Sequence, residues 1–317
     1  MKPLSLNLKE SWKNLVDNWI IALPFLFVYL VTISFYVILG SSSLGLIIDQ
    51  LKGFINEASF LGYVPIDGLI VWMQSSIFYL MNILIVIVFF HLLIGAINGA
   101  GTGNMFVNSV RGEYTDFGNY FEGVLFFTGR MILFHAMKLI ITVFPYLLYI
   151  TCLMAIKRMG LEIEGYLWWA VSIAGFILAG LMTVAVCFFT IMWKPIMFLN
   201  DTGVFDSMVE SFRFIYKNTG KILTVYLMNV FIAISVSLLF ASIQNLASMW
   251  GMFFINSEIL PYYSWALILG VRAVNSVLVI FLSLYFSFVY YRIFNDSLCE
   301  VCKKDIPLCK ELHLADA

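Results

Sequence analysis

The residues best suited to chemistry are three cysteines and a histidine near the C-terminus. Cys299, Cys302, Cys309 and His313 form a Cys-x2-Cys-x6-Cys-x3-His series, whose first pair has the spacing of a zinc knuckle. Bound metal would fold an otherwise disordered tail. The cysteines could instead be acylated, since they lie just beyond a membrane helix, or they could be incidental. Zinc is therefore the one candidate cofactor, and the rest of the chain implies none.

A second set of polar residues lies within or at the ends of apolar segments. The set comprises His91, Asn98, His135, Lys138 and Lys194. All five would lie in the inner half of a bilayer, where ionisable groups are costly and often functional. One interpretation is a pocket, open to the cytoplasm, for an anionic headgroup or a small solute. The other, which the sequence by itself favours, is interhelical hydrogen bonding, with the two lysines extending to the headgroups.

Signatures of common enzyme classes are missing from the sequence. There is no His-Glu-x-x-His and no Gly-x-Ser-x-Gly, and the glycine-rich run at 99–103 lacks the Lys-Ser/Thr of a phosphate loop. All 19 acidic residues fall outside the apolar segments, which counts against an intramembrane aspartyl protease and against transport coupled to an intramembrane carboxylate. We therefore predict that the protein is not an enzyme.

The composition predicts a membrane protein. Of 317 residues, 62% are hydrophobic and 12% are charged, whereas soluble domains have about 45–50% and about 25%. Six apolar segments reach the roughly 20 residues that a membrane-spanning helix needs. They are 19–40, 69–97, 131–156, 166–193, 222–246 and 267–291. With 18 Lys and Arg and a net charge of −1, the chain offers no basic stripe for nucleic acid.

The distribution of basic residues predicts the orientation. Of the 18 Lys and Arg, thirteen lie on the face that carries both termini, four lie on the opposite face, and Lys138 lies inside the third span. Because Lys and Arg concentrate in cytoplasmic loops, we predict a multi-pass cell-membrane protein with cytoplasmic N- and C-termini.

An internal repeat is visible when 4–18 is aligned with 204–218 without a gap. Both segments have apolar residues at i, i+4, i+8, i+11 and i+12, which is typical of an amphipathic helix in the membrane interface. Asn18 and Asn218 are expected to end these helices in the left-handed conformation. Segment 115–128 is a weaker copy, with Asp116 as its N-cap. These helices would either seat the bundle as a structural collar or bind lipid or a cytoplasmic partner.

The predicted fold is therefore an all-α membrane protein with six transmembrane helices in three parallel repeats. Each repeat is an interfacial amphipathic helix followed by a transmembrane hairpin, over residues of about 1–100, 101–200 and 201–295. Residues 296–317 form a cytoplasmic tail that contains the cysteines. Gly95-x-x-x-Gly99 is expected to allow close helix packing, and prolines at 24, 145 and 195 are expected to kink or end helices.

Three stretches of this sequence resemble a known group of proteins. KESWKNLVDNW, NSVRGEYTDFGNYFEG and VESFRFIYKNTGKIL are similar to stretches of prokaryotic six-helix membrane proteins of unknown function. That group is related to the membrane domain found with some glycerophosphodiester phosphodiesterases. The resemblance covers nearly the whole chain and implies the six-helix topology, but it implies no activity.

The sequence leaves two functions open. The first is a membrane scaffold, accessory subunit or lipid-interacting module, with membrane lipids and a membrane or cytoplasmic protein as partners. The alternative is a transporter or permease with a polar pocket facing the cytoplasm.

The zinc hypothesis predicts about one zinc ion per purified chain. The double variant Cys299→Ser, Cys302→Ser should lose the metal because two of its four ligands are gone, whereas Cys152→Ser, in the third span, should keep it. Elemental mass spectrometry measures the content. A native protein without zinc would contradict the hypothesis, and intact-mass analysis would then show whether the tail is acylated.

Overall fold

The described residues fold mainly into long α-helices. The structure is a computed structural model that describes residues 2–39, 66–158, 166–254 and 260–304. Helices account for nearly all of these residues, and no strand occurs among them. The predicted all-α class is therefore confirmed.

Nine α-helices follow one another in the described ranges, with a 3₁₀ turn at Trp19–Ile21 before the second. They are α1 Leu4–Asp17, α2 Ala22–Leu39, α3 Ile66–Arg111, α4 Phe117–Arg158, α5 Tyr166–Phe189, α6 Trp193–Leu199, α7 Val204–Lys217, α8 Thr219–Phe254 and α9 Leu260–Lys304. Six stretches are long and apolar enough to cross a membrane: Trp19–Leu39, Met81–Arg111, Phe117–Ile156, Ala170–Leu199, Thr219–Ala247 and Leu269–Cys299. The chain is a polytopic membrane protein.

The core lies at one end of the bundle, which we call the basal end. Here the 3₁₀ turn and α2 begin, α3 and α9 end, and α6 is almost wholly buried. The last part of α9 is the centre of this region, since α1, α2, α3, α6 and α8 all pack against it. Farther along the spans, large apolar side chains are exposed, as Phe27 and Phe231 are. Such side chains suit a lipid environment, where burial among other helices is not required.

The fourth span is broken. α5 ends at Phe189 and α6 begins at Trp193, with a turn between them. Pro195 explains the break, because proline has no N–H and its ring would clash with the carbonyl of Ile191 in a continuous helix. In the first turn of α6 the same proline is tolerated. By contrast, Pro145 lies inside the uninterrupted α4.

Helices α1 and α7 are alike in detail, 200 positions apart. Each has 14 residues and buries a strip that includes small polar side chains, namely Asn7 and Ser11 in α1 and Ser207 and Ser211 in α7. Large apolar side chains such as Trp12 and Tyr216 are exposed. Each helix thus packs against the bundle on one side and exposes apolar side chains on another.

Both helices end at an asparagine, and the two asparagines form the same pair of hydrogen bonds. The Nδ2 and backbone N–H groups of Asn18 donate to the Asn14 carbonyl, and those of Asn218 donate to the Phe214 carbonyl. Neither asparagine is left-handed, since their φ angles are −118° and −124°. The expectation of a left-handed cap was wrong. The side-chain amide of each asparagine can reach the carbonyl four residues earlier without a left-handed backbone.

The middle segment of the predicted repeat, 115–128, differs from α1 and α7. Segment 115–128 does not form a separate helix, because α4 runs without interruption from Phe117 to Arg158. The predicted cap is confirmed: the Asn119 N–H donates to Asp116 Oδ1 at 2.9 Å, and the Asp116 N–H donates to Asn119 Oδ1 at 2.9 Å. These reciprocal bonds form a capping box.

Helices α3 and α4 pack along much of their length, and a glycine sets their closest approach. A Cβ at Gly123 would lie 2.7 Å from both the Ala100 carbonyl oxygen and the Asn104 Cβ. At Gly95 a Cβ would lie 3.4 Å from the His135 ring, and at Gly99 it would overlap the Met131 side chain. The tight backbone contact is therefore at Gly123, whereas the predicted Gly95–Gly99 pair accommodates side chains.

Replacing Gly123 by alanine is expected to lower the free energy of unfolding by about 1–3 kcal/mol, because the new methyl group would push α4 away from the α3 backbone. Gly129→Ala is the matched control, since no atom of another element lies within 4 Å of its Cβ position. That control should be neutral or stabilise the helix by roughly 0.5–1 kcal/mol. Unfolding in mixed micelles, followed by circular dichroism, measures both. Equal effects of the two substitutions would contradict the close approach.

An ionic cluster joins the N-terminal helix to the end of α9. The Glu10 carboxylate accepts hydrogen bonds from Lys2 Nζ at 3.1 Å and from Arg292 Nη2 at 2.5 Å. Lys2 also lies 3.7 Å from Asp296 Oδ1. Burial alone would raise the pKa of Glu10, but the hydrogen bond from Lys2 and the charge of Arg292 outweigh it and hold the pKa below its ordinary value of 4.5.

Glu10→Gln should therefore destabilise the protein at neutral pH by about 1 kcal/mol. A lowered pKa means that this stabilisation is fully present above pH 4.5 and is lost as the pH falls through the folded-state pKa. The difference in melting temperature between native protein and variant should accordingly shrink below pH 4.5. Glu210→Gln is the control, because Glu210 accepts a hydrogen bond from Asn200 that an amide oxygen can replace. A pH-independent difference would contradict this account.

Candidate functional site

A cavity of about 510 Å³ lies among the six spans, next to the core of the basal end. Phe25 of α2, Asn229 of α8 and residues 190–195 contribute to its wall. The remaining wall comes from Gly95–Phe106 on α3, Met131–Lys138 on α4 and Ser283–Tyr291 on α9. Because every span contributes, the cavity depends on the tertiary packing of the whole bundle.

Two lysines give the cavity a positive charge. Lys194 enters it from the first turn of α6, directly after the break in the fourth span, and Lys138 enters it from α4. Their ammonium groups lie 5.8 Å from the Phe198 ring centre and 6.0 Å from the Phe134 ring centre. None of the described residues that line the cavity is acidic, and neither lysine forms an ion pair within the described part of the chain.

Four buried polar atoms also lack partners at this wall. Asn98 is 8% exposed and Tyr291 is 2% exposed. The Asn98 Oδ1, the His135 Nε2 and the hydroxyls of Tyr290 and Tyr291 form no hydrogen bond with any described residue. Buried polar groups are nearly always hydrogen-bonded, so unpaired atoms at the wall of a cavity indicate an additional partner such as water or a ligand.

Three hydroxyl groups in the wall donate to carbonyls one turn earlier in the chain. Thr102 donates to the Asn98 carbonyl at 2.6 Å, Thr190 to the Val186 carbonyl at 2.9 Å, and Ser287 to the Ser283 carbonyl at 2.8 Å. Their protons are therefore engaged. The donors available to an occupant include the ammonium groups of Lys138 and Lys194 and the hydroxyls of Tyr290 and Tyr291.

Four of the five residues predicted to form a polar pocket line this cavity together. They are Asn98, His135, Lys138 and Lys194. His91 does not join them: it lines an adjoining groove between α3 and α4, and its Nε2 lies 2.6 Å from the Tyr36 hydroxyl. His91 faces the surroundings because it lies one turn farther from the basal end than Gly95.

Sequence reasoning missed much of the polar wall on α9. Ser283, Ser287 and Tyr291 lie at i, i+4 and i+8, a helical polar stripe inside an apolar span. Asn98 and Thr102 repeat this spacing on α3. The periodicity of weakly polar residues was the available signal, and it was overlooked because serine and threonine are common in membrane helices.

The predicted metal site lies mostly beyond the part of the chain that the structure describes. Cys299 is exposed on α9, which continues to Lys304 and so includes the position of Cys302. Cys309 and His313 lie outside the described residues. Within the described ranges, no group of three or more His, Cys, Asp or Glu residues could hold a metal ion.

Comparisons with protein-family models, with curated proteins and with solved structures found no match to this chain. Membership of the six-helix group that the sequence resembles therefore stays a prediction.

Proposed function

We propose that this protein is a non-enzymatic, lipid-interacting membrane protein whose central cavity binds an anionic group. The observation that carries the proposal is the pair Lys138 and Lys194, two cations in one intramembrane cavity without an acidic residue in its described wall. Unpaired charges in a membrane interior are expensive and are retained where they bind something.

The shape and the donors of the cavity favour a small oxyanion such as a phosphate group. Ammonium groups bind phosphate oxygens through short, charge-assisted hydrogen bonds. The Tyr291 hydroxyl supplies a further donor, and the Asn98 Oδ1 can accept a hydrogen bond from a protonated phosphate or a glycerol hydroxyl. A volume of 510 Å³ is within the usual range for small-molecule sites.

The proposed orientation places the basal end at the cytoplasmic face of the cell membrane. The charge bias of the loops supports it, as does the ionic cluster around Glu10, which needs an aqueous surface. Helices α1 and α7 then lie in the inner interface, with Trp12 and Tyr216 among the headgroups. Their equal length and matching ends support a repeat plan in which 115–128 has merged with its span.

Transport is the second candidate, and the broken fourth span favours it. Discontinuous helices near the middle of the membrane form the substrate sites of many transporters. Here the break places the Lys194 ammonium in the cavity. In this mechanism the cavity would take up an anion from one side of the membrane and release it on the other side.

Lys194→Met tests anion binding. Inorganic phosphate should raise the melting temperature of the native protein in neutral detergent, and the variant should lose this gain together with roughly tenfold or more in affinity, as expected for a charged hydrogen bond of about 1.5–3 kcal/mol. Without phosphate the variant should melt higher than the native protein, because a desolvated, unpaired cation is gone. Lys9→Met, on the exposed surface of α1, is the control.

A phosphate-induced shift that is equal in the native protein and in Lys194→Met would overturn the proposal. Reconstitution in liposomes separates the two candidates: phosphate flux that depends on Lys194 would identify a transporter, whereas binding without flux would support the lipid-interacting module.

A further inference from the structure

A groove of about 430 Å³ runs between α3 and α4 on the side of the bundle that faces lipid. Most of its wall is apolar and comes from Ile87, Val88 and Leu92 on α3 and from Leu139 and Thr142 on α4. The groove lies farther from the basal end than the cavity does. Its walls suit hydrocarbon.

The groove and the cavity share two residues. His135 and Lys138 line both, one turn of α4 carrying the two side chains. Lys138 is exposed, and it lies where the apolar groove meets the polar cavity. A ligand that occupies both the groove and the cavity would extend past Lys138, with its charged group in the cavity and its apolar part in the groove.

The geometry points to an anionic phospholipid as the ligand, with its phosphate in the cavity between Lys138 and Lys194 and one acyl chain along the groove. This assignment deepens the proposed function and rests on it. Charge complementarity selects the head, because the described cavity wall has cations and no carboxylate. The apolar groove shares Lys138 with the cavity and suits an acyl chain. A free phosphate ion would occupy the cavity and leave the groove empty.

The orientation of such a lipid agrees with the fold. Its head would lie toward the basal end, where α1 begins, α9 ends and the ionic cluster around Glu10 lies, and its chain would lie toward the middle of the bilayer. This is the direction of a lipid in the leaflet nearest the basal end. His91, hydrogen-bonded to Tyr36, would flank the chain.

A series of alkyl phosphates tests this assignment, with methyl, butyl and hexyl phosphate as probes in titration calorimetry of the full chain in neutral detergent. Affinity should rise about fourfold for each methylene that enters the groove. Val88→Trp should abolish the rise and leave methyl phosphate binding unchanged. Val86→Trp is the matched control, because Val86 is exposed on the same helix and does not line the groove. Hexanol controls for partition into the micelle.

Each outcome decides one of the two proposals. A flat series in the native protein, with methyl phosphate bound, would overturn the lipid assignment and leave an anion site for free phosphate. A failure of all phosphates to bind would overturn the anion site as well. If Val88→Trp does not fold, Thr142→Phe on the opposite wall takes its place. An undiminished rise in the folded variant would show that the chain lies elsewhere.

The lipid itself can be identified in a second arm. Native mass spectrometry of protein taken from nanodiscs of phosphatidylcholine and phosphatidic acid should show retained phosphatidic acid. Val88→Trp should reduce this adduct at least tenfold and Val86→Trp should preserve it. Equal adducts in the two variants would contradict binding in the groove.

Discussion

The last part of α9 is the element against which the basal end of the bundle is built. Its buried side chains, among them Phe286, Phe288 and Tyr291, pack with α1, α2, α3, α6 and α8. Phe106 of α3 lies 4.7 Å from the Phe288 ring and 5.1 Å from the Tyr291 ring, centre to centre. Aromatic pairs at these distances stabilise the contact between the two helices. Phe106 and Tyr291 also line the cavity.

Close packing at one end has a direct consequence for the charges. Lys194 belongs to a short helix whose other residues are all buried, and it lines the cavity together with Lys138. Two lysines in one small space repel each other, and a bound anion would offset this repulsion. Glu10 at the surface, by contrast, is balanced by Lys2 and Arg292. The contrast indicates that the surface cluster stabilises the fold, whereas the two lysines of the cavity are available to a ligand.

The sequence by itself determined the membrane class, the six spans, the equal length of α1 and α7, and the cap at Asp116. These features depend on local properties: the length of an apolar run, its period, and side chains that bond to the nearest turn. It also identified four residues of the cavity, because lysine, histidine and asparagine are conspicuous in apolar segments.

Only the tertiary structure decided which polar residues meet. It separated His91 from the other four, added Tyr291 and the serines of α9, and moved the tight helix contact from Gly95–Gly99 to Gly123. It also merged 115–128 with α4, whereas the break before Pro195 agrees with the helix end that the sequence predicts there. The physical reason is that these features depend on the rotation and crossing of helices far apart in the chain. Side-chain packing sets that rotation, and helical periodicity within one segment carries no information about it.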